Sequence, residues 1–252
     1  MAAGKPRNVM KSLRVKDALT VDKDLYTKQN SPDRYFLEEK FLQRPALNAD
    51  IGIANNPNFE ILGTNASADD VTFDATNAGL LLTTDGADND QIIILPHLDA
   101  GQSAWTGIKW GTENQTIWEA TIKTGASIAT VLIWAGLKLT NTPTIATDAN
   151  QAFFRFSTDD SDTTIRCISS IANVDTNTDS GVTLAVNTTY RLRIEIDSAR
   201  KAHFFINEVE VTSTAALTND IDLIPYIGIQ SLSAAADTMI VNKQAISRIL
   251  FE

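Results

Sequence analysis

Two carboxylates stand one residue apart at Glu195-Ile196-Asp197, inside the stretch YRLRIEIDSARKAHFFINEVEV (190–211). On a strand they share one side, about 7 Å apart along the chain. Paired carboxyl groups are the machinery of glycosidic cleavage, but a retaining pair needs a separation of roughly 5 to 5.5 Å. Tyr190, Leu192, Ile194 and Ile196 alternate with Arg191, Arg193, Glu195 and Asp197, so one side is apolar and the other charged. The carboxylates therefore lie opposite the core side, next to arginines that can pair with them.

A second acidic group, Asp85, Asp88 and Asp90 in TTDGADNDQ, offers oxygens to Ca²⁺, which takes six to eight of them. The spacing is not that of an EF-hand, and Asp, Asn and Gly are ordinary turn residues. Asp159, Asp160 and Asp162 in STDDSDTT read the same way, with a polar hairpin loop as the alternative. No cofactor is required by any motif. His97 and His203 are the only histidines and Cys167 the only cysteine, too few for a typical structural zinc site or an internal disulfide. No nucleophile elbow, phosphate-binding loop or dinucleotide fingerprint appears. His203 alternates with Phe204 and reads as structural. Of the four tryptophans, Trp118 and Trp134 sit in apolar strand patterns, whereas Trp105 follows a loop and is the candidate ligand contact.

The elements that must hold these residues are short apolar runs separated by Asn, Asp, Thr, Gly and Ser turns. That spacing suits a sandwich or barrel. The 252 residues, 43% of them hydrophobic, suffice for one core. Asn207-Glu208 reads as a tight hairpin turn, since Asn tolerates positive φ. Upstream, in SPDRYFLEEKFLQRP, Ser31 can cap a helix, Pro32 suits its first position and Pro45 ends it. This predicts a short amphipathic helix near 32–43 with Tyr35, Phe36, Phe41 and Leu42 toward one side. It would dock on its own domain or on a neighbouring subunit.

Charge is uneven. The chain carries a net −10, so its bulk should repel nucleic acid and anionic membrane. Residues 1–28 nevertheless hold seven Lys/Arg against three Asp. Such a basic arm, with Lys5, Arg7, Lys11, Arg14 and Lys16, implies a partner of its own or a solvated tail. There is no secretory-signal pattern, and ATVLIWAGL is too short for a spanning helix. The chain therefore reads as made in the cytosol and soluble.

The runs WEATIKTGASIATVLIWAGL, TDSGVTLAVNTTYRLRIEID, AHFFINEVEV and LIPYIGIQSLSAAADTMIV resemble the later strands of a concanavalin-like, laminin-G-like jelly roll. NFEILGTNASADDVTF and GLLLTTDGADNDQIIILPH look like opening strands of related structural proteins in tailed bacteriophages. The resemblance implies an all-β antiparallel jelly-roll sandwich (46–252) preceded by a basic arm (1–30) and the short helix (31–45). It further implies a non-enzymatic protein of the virion, a capsid decoration or cement protein. The arm and the aromatic helix would anchor it to the major capsid protein or other virion subunits. Symmetric self-association, a trimer for example, fits such a role. The alternative is a glycan-binding, lectin-like module of a tail or fibre, and the third reading is a glycoside hydrolase. Against the hydrolase, the glucanase pattern resembled here is E-x-D-x-x-E, and its third position holds Arg200.

Overall fold

The computed structural model describes residues 33–47, 56–97, 104–140 and 148–250. Two sheets face each other, as the alternating patterns require. Sheet A contains β15 (Val209–Ala216), β14 (Lys201–Ile206), β13 (Thr189–Ile196), β8 (Ile117–Thr124), β17 (Thr238–Ile249), β5 (Gly79–Thr83) and β4 (Val71–Asp74), in that order. β1 (Arg34–Glu39) also pairs with β17. Sheet B runs β12 (Val174–Thr183), β11 (Thr164–Ile171), β10 (Gln151–Ser157), β9 (Val131–Lys138), β16 (Asp222–Ser231), β6 (Gln91–Pro96), β3 (Asn56–Leu62) and β2 (Pro45–Leu47), with the two-residue β7 (Trp110–Gly111) beside β16. Every pairing is antiparallel except β2 with β3. This is the jelly-roll sandwich expected from the sequence. Among the described residues, no helix is long and apolar enough to cross a membrane.

The core lies between the sheets. Residues of even number on β13 point inward, and Phe204 of β14 meets Phe154 of β10 edge-on at 5.1 Å, tying one sheet to the other. Trp118 and Cys167 are buried there, as their strand patterns predicted, and burial pushes the Cys167 thiol up to about 12. Sheet B buries a second apolar group on its other face: Ile93, Leu95, Trp134, Phe153, Ile168 and Tyr226. Trp134 lies against Gly228 of β16, where a Cβ would come within 2.6 Å of its Nε1.

Where a helix was expected at 31–45, Arg34–Glu39 forms a strand instead. β1 pairs residue by residue with the end of β17, from Arg34 opposite Ile249 to Glu39 opposite Gln244. The segment satisfies both periods, because Tyr35 and Leu37 alternate with Arg34, Phe36 and Glu38. An open edge of β17 decides between them by offering six backbone partners, which a short, marginal helix could not match. Tyr35 packs on the core beside Trp110, Phe41 is fully buried against Phe59, and Leu42 is 77% exposed. The four residues do not form one docking face. Lys5, Arg7, Lys11, Arg14 and Lys16 lie outside the described residues.

Candidate functional site

The outer side of sheet A brings the Glu195–Asp197 pair to a cavity of about 440 Å³ lined by Arg34, Gln115, Ile117, Glu195, Asp197, His203, Phe205 and Glu210, among others. Five strands, β1, β8, β13, β14 and β15, and the turn after β13 build it. Glu195 faces outward because Ile194 and Ile196 face the core. Asp197 follows the end of β13 and holds the turn to β14: its Oδ1 accepts hydrogen bonds from the Ala199 and Lys201 amides, each at 2.8 Å. The antiparallel register then sets His203 directly opposite Glu195. The Asn207-Glu208 turn, with both residues at positive φ, returns β15 so that Glu210 pairs with Phe205.

The imidazole of His203 sits between two carboxylates. Its Nδ1 is 2.6 Å from Glu210 Oε1 and its Nε2 is 3.2 Å from Asp197 Oδ2. Partial burial lowers the ring's proton affinity, but the hydrogen bonds to Glu210 and Asp197 and their charges outweigh it and raise the pKa above the ordinary imidazole value. At Asp197 burial acts upward and is outweighed by the Lys201 amide, the His203 hydrogen bond and the Ala199 amide, so this carboxyl titrates below its usual range. Glu195 accepts a 2.6 Å bond from Arg193 Nη1, and Arg193 also reaches Glu208 at 3.7 Å and lies over the Phe205 ring. Arg34 closes the cavity from β1. Its Nε donates to Ser247 Oγ at 3.2 Å and its Nη2 to the Gln115 carbonyl. The result is an acid-bearing imidazole, a carboxylate neutralised by arginine, and a guanidinium around one open volume.

Sequence spacing found two of these groups and missed the rest. Arg200, at the third position of the glucanase-like pattern, turns away with φ +63° and donates to the Leu217 carbonyl. The third carboxylate comes from Glu210, one hairpin later. Counting back from the Asn207-Glu208 turn would have placed Glu210 beside Phe205, and counting from the Ser198–Arg200 turn would have placed His203 across from Glu195. His203, read from the sequence as structural, lines this cavity. Nothing local in the sequence points to Arg34, which arrives through β1.

The other candidates resolve differently. Trp105 is not a surface contact. It is 3% exposed in the short helix α1 (Ala104–Gly107), packs 4.9 Å from Phe59, and its carbonyl accepts the Trp110 indole N–H. Asp85, Asp88 and Asp90 do not converge: the first two are exposed, while Asp90 is buried and accepts from Asn65 Nδ2 and the Ala87 amide. Asp160 and Asp162 are both taken by Arg155, at 2.9 and 3.2 Å. Among the described residues no group of three His, Cys, Asp or Glu is arranged to hold a metal ion. His97 is buried, with its amide bonded to the Asn58 carbonyl.

No family model and no curated protein matches the sequence. Solved structures do match the fold. An endo-acting O-glycanase from the human gut microbiota, of a kind that initiates mucin breakdown, superposes with a TM-score of 0.61 at 8% identity, covering 84% of this chain and 98% of its own. A Bacillus licheniformis β-glucanase gives 0.55 at 10% identity, with 84% and 97% covered. A protein of unknown function from Shewanella oneidensis MR-1 gives 0.57 at 12% identity, with 99% and 97% covered.

At such identities the likeness establishes the concanavalin-like jelly roll. It also corrects the functional expectation. The two of these proteins with a named activity are glycan-cleaving enzymes and none of the three is described as a virion protein, so the non-enzymatic capsid-decoration reading is set aside, and the lectin-like alternative is not better supported.

Proposed function

We propose that this chain is a glycan-cleaving enzyme whose reaction centre is the cavity between Glu195, His203 and Glu210. One observation carries the reading: an imidazole clamped between Asp197 and Glu210 stands directly across the strand pair from an arginine-neutralised carboxylate, at an open cavity. Cleaving a glycosidic bond needs a proton donor for the leaving oxygen and a carboxylate that meets the positive charge developing at the anomeric carbon. The His203–Glu210 pair carries the proton, and the flanking Glu210 and Asp197 carboxylates raise the proton affinity of the His203 ring. Glu195 is the carboxylate, oriented by its bond from Arg193. Asp197 is a positioning residue, fixing the ring through Nε2 while it holds the turn.

The proton passes to the bridging oxygen as the C–O bond breaks. Glu195 either takes a proton from the water that bonds to the anomeric carbon, or bonds to that carbon itself until a water, giving its proton back to the donor pair, displaces the carboxylate. That water supplies the hydroxyl of one new end, and the hydrogen of the other comes from the donor pair. The fold supports this reading because jelly rolls of this type carry such chemistry in the O-glycanase and the β-glucanase.

The test is a panel of mucin-type, glucan and uronate-containing polysaccharides incubated with purified protein, with new reducing ends measured. Cleavage that Glu195→Gln and His203→Gln each reduce at least a hundredfold supports the assignment. No cleavage across the panel, or full activity in both variants, overturns it.

A further inference from the structure

A second cavity, of about 400 Å³, opens on the same outer side of sheet A, lined by Arg191, Arg193, Glu119, Glu208 and Lys243 among others. It adjoins the first along β13. Glu195 belongs to one and Arg193 to the other, and these two are ion-paired. From Arg191 to Glu195 the strand advances about 13 Å, longer than a single sugar ring. A chain lying along β13 with one linkage at Glu195 therefore passes over Arg191.

The charges along this path are unequal in how far they are used. Arg193 is shared by Glu195 and Glu208. Lys243 reaches Glu38 at 3.4 Å and Glu119 only at 4.0 Å. Arg191 is exposed, and among the described residues its guanidinium has no ion-pair partner; its backbone is engaged with Asn207, the amide donating to Oδ1 and the carbonyl accepting from the Asn207 amide. In the lining of this cavity three cations, Arg191, Arg193 and Lys243, stand against two acids, Glu119 and Glu208, on a protein of net charge −10. A guanidinium presents two parallel N–H groups that match a carboxylate or a sulfate.

We infer that this second cavity is a subsite for an acidic sugar: Arg191, supported by Lys243, takes the carboxylate or sulfate substituent of a glycan whose chain continues to Glu195. The inference rests on the cleavage reading for the direction of the chain, but the subsite can be tested by binding alone. The probes are oligogalacturonate and its methyl ester, and a sulfated oligosaccharide and its desulfated counterpart, each titrated calorimetrically into the full chain. The expected result is that at least one charged member binds more tightly than its neutral twin. Arg191→Gln should then reduce that charged-to-neutral preference about tenfold, the size of one charge-assisted pair.

Lys243→Gln should reduce it less. The pair that shows the preference tells carboxylate from sulfate. Equal affinity within both pairs, or a preference that Arg191→Gln leaves intact, overturns the subsite. Acid-selective binding through Arg191 without any cleavage would support the subsite while removing the enzyme reading. Cleavage that depends on His203 but ignores substrate charge would do the reverse.

Discussion

The outer sides of the two sheets are built from the same alternating strand pattern and have opposite contents. Sheet A turns Arg193, Glu195, His203 and Glu119 outward; sheet B places Trp134, Phe153, Tyr226, Ile93 and Leu95 on its corresponding side and buries them. Each side also holds an acid–base pair, in very different settings. On sheet A the His203 clamp borders an open cavity, so its groups can exchange protons with a ligand. On sheet B, Lys138 and Asp148 are 3.9 Å apart and both buried, with the Lys138 ammonium 5.5 Å from the Tyr226 ring centre. Burial lowers the Lys138 pKa against the pull of Asp148, and pushes the Tyr226 phenol well up. Charged pairs thus border an open cavity on one side and are enclosed on the other. What separates them is access to water and the number of local bonds already made.

The contrast can be broken most sharply at Glu195. Glu195→Gln is expected to lower the cleavage rate by a factor on the order of 10²–10⁴, with little change in thermal unfolding. A matching loss of stability would make Glu195 a structural residue. Trp134→Ala, on the other side, should cost about 3–5 kcal/mol in denaturant unfolding. Gly228, against which it packs, has no side chain to fill the space it leaves.

Asp148→Ala should cost about 3 kcal/mol, because it strands the buried Lys138 charge and removes acceptors for the Leu139 and Thr140 amides and the Thr140 hydroxyl. The smallest effect is the pH dependence of the His203 clamp. Its folded pKa lies above the unfolded value of ~6.5, so its contribution is complete below that pH and is lost as pH rises through the folded value. Partial exposure keeps it to about 1 kcal/mol or less. Unfolding midpoints measured across neutral pH should fall toward alkaline conditions, and His203→Gln should flatten that slope.

Period-two patterning carried most of this architecture. β13, β14, the Asn207-Glu208 turn and the inward Trp118 follow from alternation and turn chemistry, and Glu195 and Asp197 are placed on the outer side by the same rule. β1 was misread because SPDRYFLEEKF satisfies a helical and a strand period together, and its partner is more than 200 residues away in sequence. Trp105 looked like a surface residue because loops usually are, yet Phe59 and Trp110 give it a buried seat. Glu210 and His203 are residues whose neighbours are set by hairpin register, which is legible only once both turns are counted. The functional reading failed for a different reason. A resemblance in strand texture reports the sheet scaffold, while cleavage depends on which side chains face outward from it.

The pairing of β1 with β17 also orders events in time. At 5–20 residues per second of synthesis, Arg34 leaves the ribosome on the order of ten seconds or more before Ile249, its register partner. Until β17 is made, sheet A lacks the strand that joins β8 to β5 and β1. The guanidinium of Arg34 then has neither Ser247 nor a fixed Gln115 carbonyl to hold it. The cavity at Glu195 is thus completed only once β17 has been made, so a chain lacking β17 would carry the carboxylates without Arg34 fixed beside them.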